Sequence, residues 1–309
     1  MNPEDHAVVM NGGVHDVAPR VPHAPVPVEV RLRERIQAFA EAVDRARADD
    51  DPEAFHDVRV DARRLTEFLR TWRDLIPGGD FRRTVRGIRA LRRRAGRARD
   101  LEVQVEMLRE RIAGHAAPDE EALQLLRTRE ARLERRRRRT RKGLGSRKAR
   151  RLMDDLAGLE QDLNQDLLSH LHAFERAHAH PAKREAAART AVSTALDTED
   201  DAQLHAARIA IKKWRYAVES LGENGERTAA SLAALRALQE TLGGILDRGA
   251  LRTFLAKRTA APGPNGSART LTALIADLDA ERSGLLQRFR TLGAELRPPV
   301  ESPPPYAHL

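Results

Sequence analysis

One stretch of this chain occurs twice. His56-Asp-Val-Arg59-Val-Asp-Ala-Arg63-Arg64-Leu65 is matched by His205-Ala-Ala-Arg208-Ile-Ala-Ile-Lys212-Lys213-Trp214. Both read His-x2-Arg-x3-basic-basic followed by a large apolar residue. Further on, Leu91, Gly96 and Asp100 recur as Leu238, Gly243 and Asp247 at identical internal spacing. From His56 to Asp100 is 44 residues and from His205 to Asp247 is 42, a difference that a changed turn between two matching helices absorbs. Self-similarity of this kind marks a duplicated supersecondary unit. The chain is therefore expected to be two related halves, about 28–175 and 176–297, packed about a pseudo-twofold axis.

The unit is helical. Aromatic residues make up only 4% of the chain, whereas Arg, Ala, Leu and Glu dominate it, and strands favour the aromatic and β-branched residues that are scarce here. Helices are predicted over about 28–48, 52–75, 80–113, 119–142, 146–195 with breaks, 201–222, 226–257 and 268–296. Asp50-Asp51-Pro52, Pro77-Gly78-Gly79-Asp80, Gly143-Leu144-Gly145-Ser146 and Pro262-Gly263-Pro264 punctuate them. Residues 1–27 and 298–309 are rich in Pro and Gly and are expected to be tails, flexible at the start and polyproline-like at the end. The fold class is all-α.

The repeated motif places its polar residues on one face. At about 100° per residue, Arg59, Arg63 and Arg70 fall within about 60° of His56, while Val58, Leu65, Phe68, Leu69 and Trp72 lie opposite. In the second copy His205, Arg208 and Lys212 share a stripe with Tyr216, and Ala207, Ile211, Trp214, Val218 and Leu221 oppose it. The helix that follows the first copy aligns Arg82, Arg86, Arg89 and Arg93 with Asp100, opposite Phe81, Ile88, Ala95 and Ala98. Like charges four apart oppose helix formation, so an arginine ladder without interleaved acids suggests an anionic partner. Solvated basic faces are common on helices, but they do not need to recur at the same offsets.

Charge and composition narrow the partners. Lys and Arg number 55 against 46 Asp and Glu, a net +9, which attracts nucleic acid, phosphate polymers or anionic lipid alike. Arginine predominates, and its planar fork suits bidentate contact with phosphate. The chain has no cysteine, which excludes disulfides, thiolate chemistry and Cys-based zinc sites. No stretch approaches the ~20 apolar residues of a membrane span, no secretory signal is evident, and the cytoplasm is the expected compartment.

These residues resemble the CHAD family, the conserved-histidine α-helical domain. Asp51 to Leu65 is similar to its first signature, and Gly96-Arg-Ala-Arg99-Asp100-Leu-Glu-Val103 to its Gly-x-x-Arg-Asp signature. Leu204-His205 to Arg215-Tyr216 and Leu238 to Asp247 look like their counterparts in the second half. The resemblance spans about 28–297. It implies two four-helix bundles around a central basic cavity that binds inorganic polyphosphate, association with polyphosphate granules, and no catalytic activity or cofactor. Carried over by position, the implied contacts are His56, Arg59, Arg63, Arg64 and Arg99, with His205, Arg208, Lys212, Lys213, Arg215 and Tyr216. Thr66 stands where the first signature often has another arginine, and Leu246 stands opposite Arg99. Many relatives carry a triphosphatase-type domain upstream, for which residues 1–27 are expected to leave no room.

Other features are weaker. The run Arg135–Arg139 reads either as a solvated basic helix or as a rim that guides a polyanion. His170, His172, His178 and His180 invite a metal reading, but pairs two apart do not share a helical face. Asp100 and Asp247 are read as orienting an arginine through a charge-assisted hydrogen bond rather than as a catalytic acid pair. The competing functions are nucleic-acid binding, which charge alone would support, and (poly)phosphate hydrolysis, which would need clustered acidic metal ligands. Single-strand binders stack bases on aromatic platforms, and both Trp residues here fall on apolar faces.

Overall fold

The computed structural model describes residues 27–48, 53–76, 78–161, 167–222, 226–260 and 269–296. Helices α1 (Val28–Ala48), α2 (Ala54–Thr71), α3 (Gly78–Gly114), α4 (Glu120–Leu144), α5 (Arg147–Gln161), α6 (Leu167–Thr198), α7 (Asp201–Leu221), α8 (Glu226–Thr259) and α9 (Arg269–Ala294) follow in order, with a short 3-10 turn at Arg73–Leu75. Among the described residues there is no strand, as the composition implied. The two tails and the Pro52 and Pro262–Gly266 breakers lie outside the described residues.

Local chemistry sets several boundaries. Asp119 caps α4 by accepting a hydrogen bond from the Ala122 amide at 2.9 Å, and Glu120 and Glu121 follow it at the positive end of the dipole. Asp200 does the same for α7, accepting from the amides of Ala202 and Gln203. Gly222 ends α7 in the left-handed region at φ 67°, where a side chain would be strained, and the Arg31 guanidinium lies over it. Pro181 sits inside α6 and does not break it.

The halves share one packing scheme. In the first, α1 packs on α2, α2 on α3, α3 on α4 and α4 back on α1; in the second, α6 to α9 close the same ring in the same order. Each is a four-helix arrangement, with α5 laid over α1 and α3. The predicted apolar faces are the ones buried: Val58, Leu65 and Leu69 are fully inaccessible, as are Ile88, Ala95 and Ala98 on α3, and Ala207 and Ile211 on α7. Burying one Leu or Ile stabilises by about 1.5–3 kcal/mol, whereas a like-charge pair four apart costs only a few tenths. The apolar face of α3 therefore outweighs its arginine ladder.

The halves are joined through matched elements. α2 packs on α7, and α3 touches α8. Leu108, Ile112 and Leu125 of α3 and α4 share a core with Leu251, Leu255, Leu271 and Leu278 of α8 and α9. The expected division near 175/176 falls inside α6. Ala173 and Ala177 belong to the first core, and Ala188, Val192 and Ala195 to the second. Among the described residues no helix is long and apolar enough to cross a membrane.

Candidate functional site

Because α2 and α7 carry the two copies of the motif and pack on each other, their basic stripes meet. Arg59 and Arg63 come from α2, and Arg208, Lys212 and Arg215 from α7. Lys212 and Arg215 are each only 7% exposed, and Tyr216 beside them is also buried. Tyr216 lies among Arg63, Arg92 and Arg208, with the Arg215 guanidinium 4.6 Å from its ring centre.

The downstream halves of the repeat complete this centre. Arg59 Nη1 donates to Asp100 Oδ1 at 2.8 Å. The matching Arg208 is within electrostatic reach of Asp247, and each aspartate also feels the other half's arginine. Beneath each arginine lies the repeat's glycine. A methyl group at Gly243 would approach Arg208 to 3.2 Å, and one at Gly96 would approach Arg59 to 3.8 Å. In both halves the recurring glycine lies under the arginine, and in the first half the aspartate one turn on accepts that arginine's hydrogen bond.

Cations outnumber anions here, and their protonation reflects it. Burial, with Arg63, Arg208, Arg59 and Arg215 around it, lowers the Lys212 ammonium to about 5. Burial and the charges of Arg59, Arg92 and Arg208 lower Arg63 to about 10. Asp247 goes up, because burial outweighs the pull of Arg208 and Lys212. His56 is lowered by its packed surroundings and then by Arg99, although its outer edge is exposed. Among the described residues, Arg208 Nε is buried with no hydrogen-bond partner, while buried Arg215 Nε has only an ion pair to Glu219 at 3.7 Å. A buried donor left so costs about 1–3 kcal/mol, which an anion could recover.

Not all predicted residues converge. Arg64 turns away to Glu219 at 3.3 Å and Asp61 at 3.4 Å, because it sits about 100° round the helix from Arg63. Arg82, Arg86 and Arg93 are exposed on the outer side of α3, while Arg89 is partly covered. His205 is exposed. Arg99 flanks the centre, paired with Glu53 at 2.9 Å and Glu102 at 3.1 Å. Lys213 points to a second cluster with Arg70, Arg92 and Arg184.

Arg92, Arg184 and Glu67 escaped the sequence reading. Arg92 is one place from Arg93 but on the inward side, and Arg184 lies on α6 outside the repeat. Glu67 is 2% exposed and anchors the second cluster. It accepts from Arg184 Nε at 2.6 Å and Arg70 Nη1 at 2.9 Å, and it meets His180 Nε2 at 3.0 Å. Burial pushes its carboxyl up, but the His180 hydrogen bond and the Arg184 and Arg70 charges outweigh that and hold it below the usual range. Its stabilising contribution is thus present above the ordinary glutamate pKa and lost as pH falls through the lowered one. Glu67→Ala is expected to cost about 3 kcal/mol, since three cationic partners lose their anchor, read as a lower midpoint in denaturant. An unchanged midpoint would show that the partners simply turn to water.

Two of the other histidines have local partners. His180 is held by Glu67, and His178 Nδ1 lies 2.8 Å from the Phe174 carbonyl. Among the described residues no group of three or more His, Cys, Asp or Glu is placed to hold a metal.

The CHAD domain model matches residues 30–256, most of the chain and both copies of the motif. The chain belongs to the CHAD domain family. Its fold is similar to the crystal structure of the CHAD domain from the plant Ricinus communis, with a TM-score of 0.64 and 22% identity over 89% of this chain and 98% of that one. It is also similar to PptA from Streptomyces chartreusis, with a TM-score of 0.63 and 16% identity over 88% and 99%. No curated protein matches the sequence. The matched residues include the places where α2 meets α7 and where Arg59 pairs with Asp100.

Proposed function

We propose that this protein binds inorganic polyphosphate in the basic centre between α2 and α7, without a reaction of its own, and that it associates with polyphosphate granules. The observation that carries this reading is the set of inward cations from both repeats, Arg59, Arg63, Arg92, Arg208, Lys212 and Arg215, against few carboxylates. Such a set is unfavourable without an anion, as the lowered Lys212 and Arg63 indicate. A phosphate polymer supplies closely spaced negative charge and demands only cationic and N–H donors, which arginine provides bidentately.

Nucleic acid is the competing ligand. Base stacking needs exposed aromatic rings, whereas Trp72, Trp214 and Tyr216 are buried. Phe174 is the exposed large aromatic among the described residues, and it lies against His178 with ring centres 3.9 Å apart.

A titration with long-chain polyphosphate, single-stranded DNA and duplex DNA across a salt series decides between them. Polyphosphate is expected to bind most tightly, with affinity falling steeply as salt rises because bound counterions are released. Equal or tighter binding of either DNA would overturn the reading.

A further inference from the structure

The positive charge of this protein is concentrated away from its centre. Between Glu134 and Asp154 there are 11 Lys and Arg and no carboxylate. Removing those 11 from the total of 55 leaves 44 basic against 46 acidic side chains, a net of −2. The stretch where α4 ends and α5 begins thus carries more positive charge than the net +9 of the chain. A second acid-free segment, between Asp80 and Asp100 on α3, holds nine arginines.

These two segments are neighbours. Arg94 of α3 lies on Gly143 of α4, Gly87 faces Leu152 of α5, and Arg83 pairs with Asp155 at 3.2 Å. The α3 arginines divide by angle. Arg92 and Arg89 turn toward the basic centre and are partly covered, whereas Arg93, Arg86 and Arg97 lie progressively further round and are exposed. They fill the arc between the centre and Arg94, where the α4–α5 corner begins. Arg138, Arg139, Lys142 and Arg150 continue it as exposed side chains. Inward from the corner, Arg137 and Arg99 share the buried carboxylate of Glu102.

We infer that the exposed α3 arginines and the α4–α5 corner form a second polyphosphate-binding surface, over which a long chain runs after leaving the basic centre. The inference rests on the polyphosphate reading above and adds to it a preference for long chains. A short anion occupies the centre alone, because the corner lies on the far side of a helix about 10–12 Å across. The corner has no aromatic residue between 135 and 153, so it suits a bare phosphate polymer better than bases.

The test compares tripolyphosphate with long-chain polyphosphate on the full chain. At physiological ionic strength charges beyond about 8 Å are screened, so direct contacts dominate. The variant combines Arg138→Gln, Arg139→Gln, Lys142→Gln and Arg150→Gln, all exposed positions. Affinity for long chains is expected to fall roughly tenfold or more with a shallower salt slope, while affinity for tripolyphosphate stays unchanged. Arg94→Gln with Arg97→Gln, on a different helix, is expected to act in the same direction. Equal losses for both ligands, no loss for the long chain, or loss confined to duplex DNA would each overturn the inference. Failure of the wild-type protein to bind either phosphate ligand would instead remove the polyphosphate reading itself.

Discussion

Replacing Arg59 and Arg208 together by alanine is expected to weaken polyphosphate binding by roughly 10²–10⁴-fold. Each guanidinium is one member of the matched pair, and a hydrogen bond to a charged group contributes about 1.5–3 kcal/mol. Two of them amount to about 3–6 kcal/mol, at about 1.4 kcal/mol for each factor of ten. The fold should survive, because both residues lie opposite the faces that form the cores. Removing either also relieves the repulsion that Arg59 and Arg208 exert on Arg63. Asp100 is exposed and can turn to water once Arg59 is gone, and Asp247 keeps Lys212 as a neighbour. The measurement is a titration alongside far-ultraviolet circular dichroism. Retained helicity with lost binding supports the proposed role; lost helicity would make the arginines structural.

The second large effect is a proton taken up on binding. Lys212 in the free protein is lowered to about 5 from 10.5, so at pH 7 it is neutral. Because its folded value lies below its unfolded one, burying it costs stability that grows as pH falls from 10.5 towards 5 and is constant below that. A polyphosphate chain beside it favours the ammonium and reverses the shift. Binding at pH 7 should therefore take up close to one proton, and affinity should rise as pH falls from about 8 to 5, approaching tenfold per pH unit. Calorimetry in two buffers of different ionisation enthalpy reads the uptake directly. Lys212→Met should abolish the Lys212 share and stabilise the free protein, since folding no longer has to strip the proton from a lysine that is charged in the unfolded chain. His56, also lowered, adds a smaller uptake nearer its own range, and His56→Gln separates the two. A pH-independent affinity, or uptake unchanged in Lys212→Met, would show that Lys212 is not part of the binding centre.

The helices and their inward faces were legible because they depend on nearest-neighbour chemistry. A period of 3.6 residues assigned Val58, Leu65 and Leu69 to the core, and the core received them. The helix starts near 119 and 201 were legible too, and the Asp119 and Asp200 caps that the structure places there act within three residues. That Asp100 orients an arginine was legible for a different reason, because a duplication repeats its functional geometry; which arginine, Arg59 across 41 residues, came only with the packing of the helices.

What stayed hidden depends on which helices meet. Arg63 and Arg64 are adjacent letters of one motif, yet one enters the centre and the other pairs with Glu219. That choice is made by the position of α7, not by the motif. Arg92 and Arg93 divide in the same way across the surface of α3. Glu67 and Arg184 are 117 residues apart and lie outside the repeated pattern, so no periodicity announces them. The low protonation of Lys212 is largely a tertiary property: Arg208 and Arg215 flank it on α7, but its burial and the approach of Arg59 and Arg63 come only when α2 packs on α7.

The feature that constrained the chain most was its twofold motif, and by itself it determined an all-α fold in two related halves. It also named the arginine, glycine and aspartate that recur in each. The tertiary structure decided that the two copies face one another, which of their neighbours join them, and that the basic α4–α5 corner lies beside the α3 arginines. The division has a physical reason. Helix formation and amphipathicity are set within a few turns of chain, while burial of charge is set by whatever distant helix closes over it.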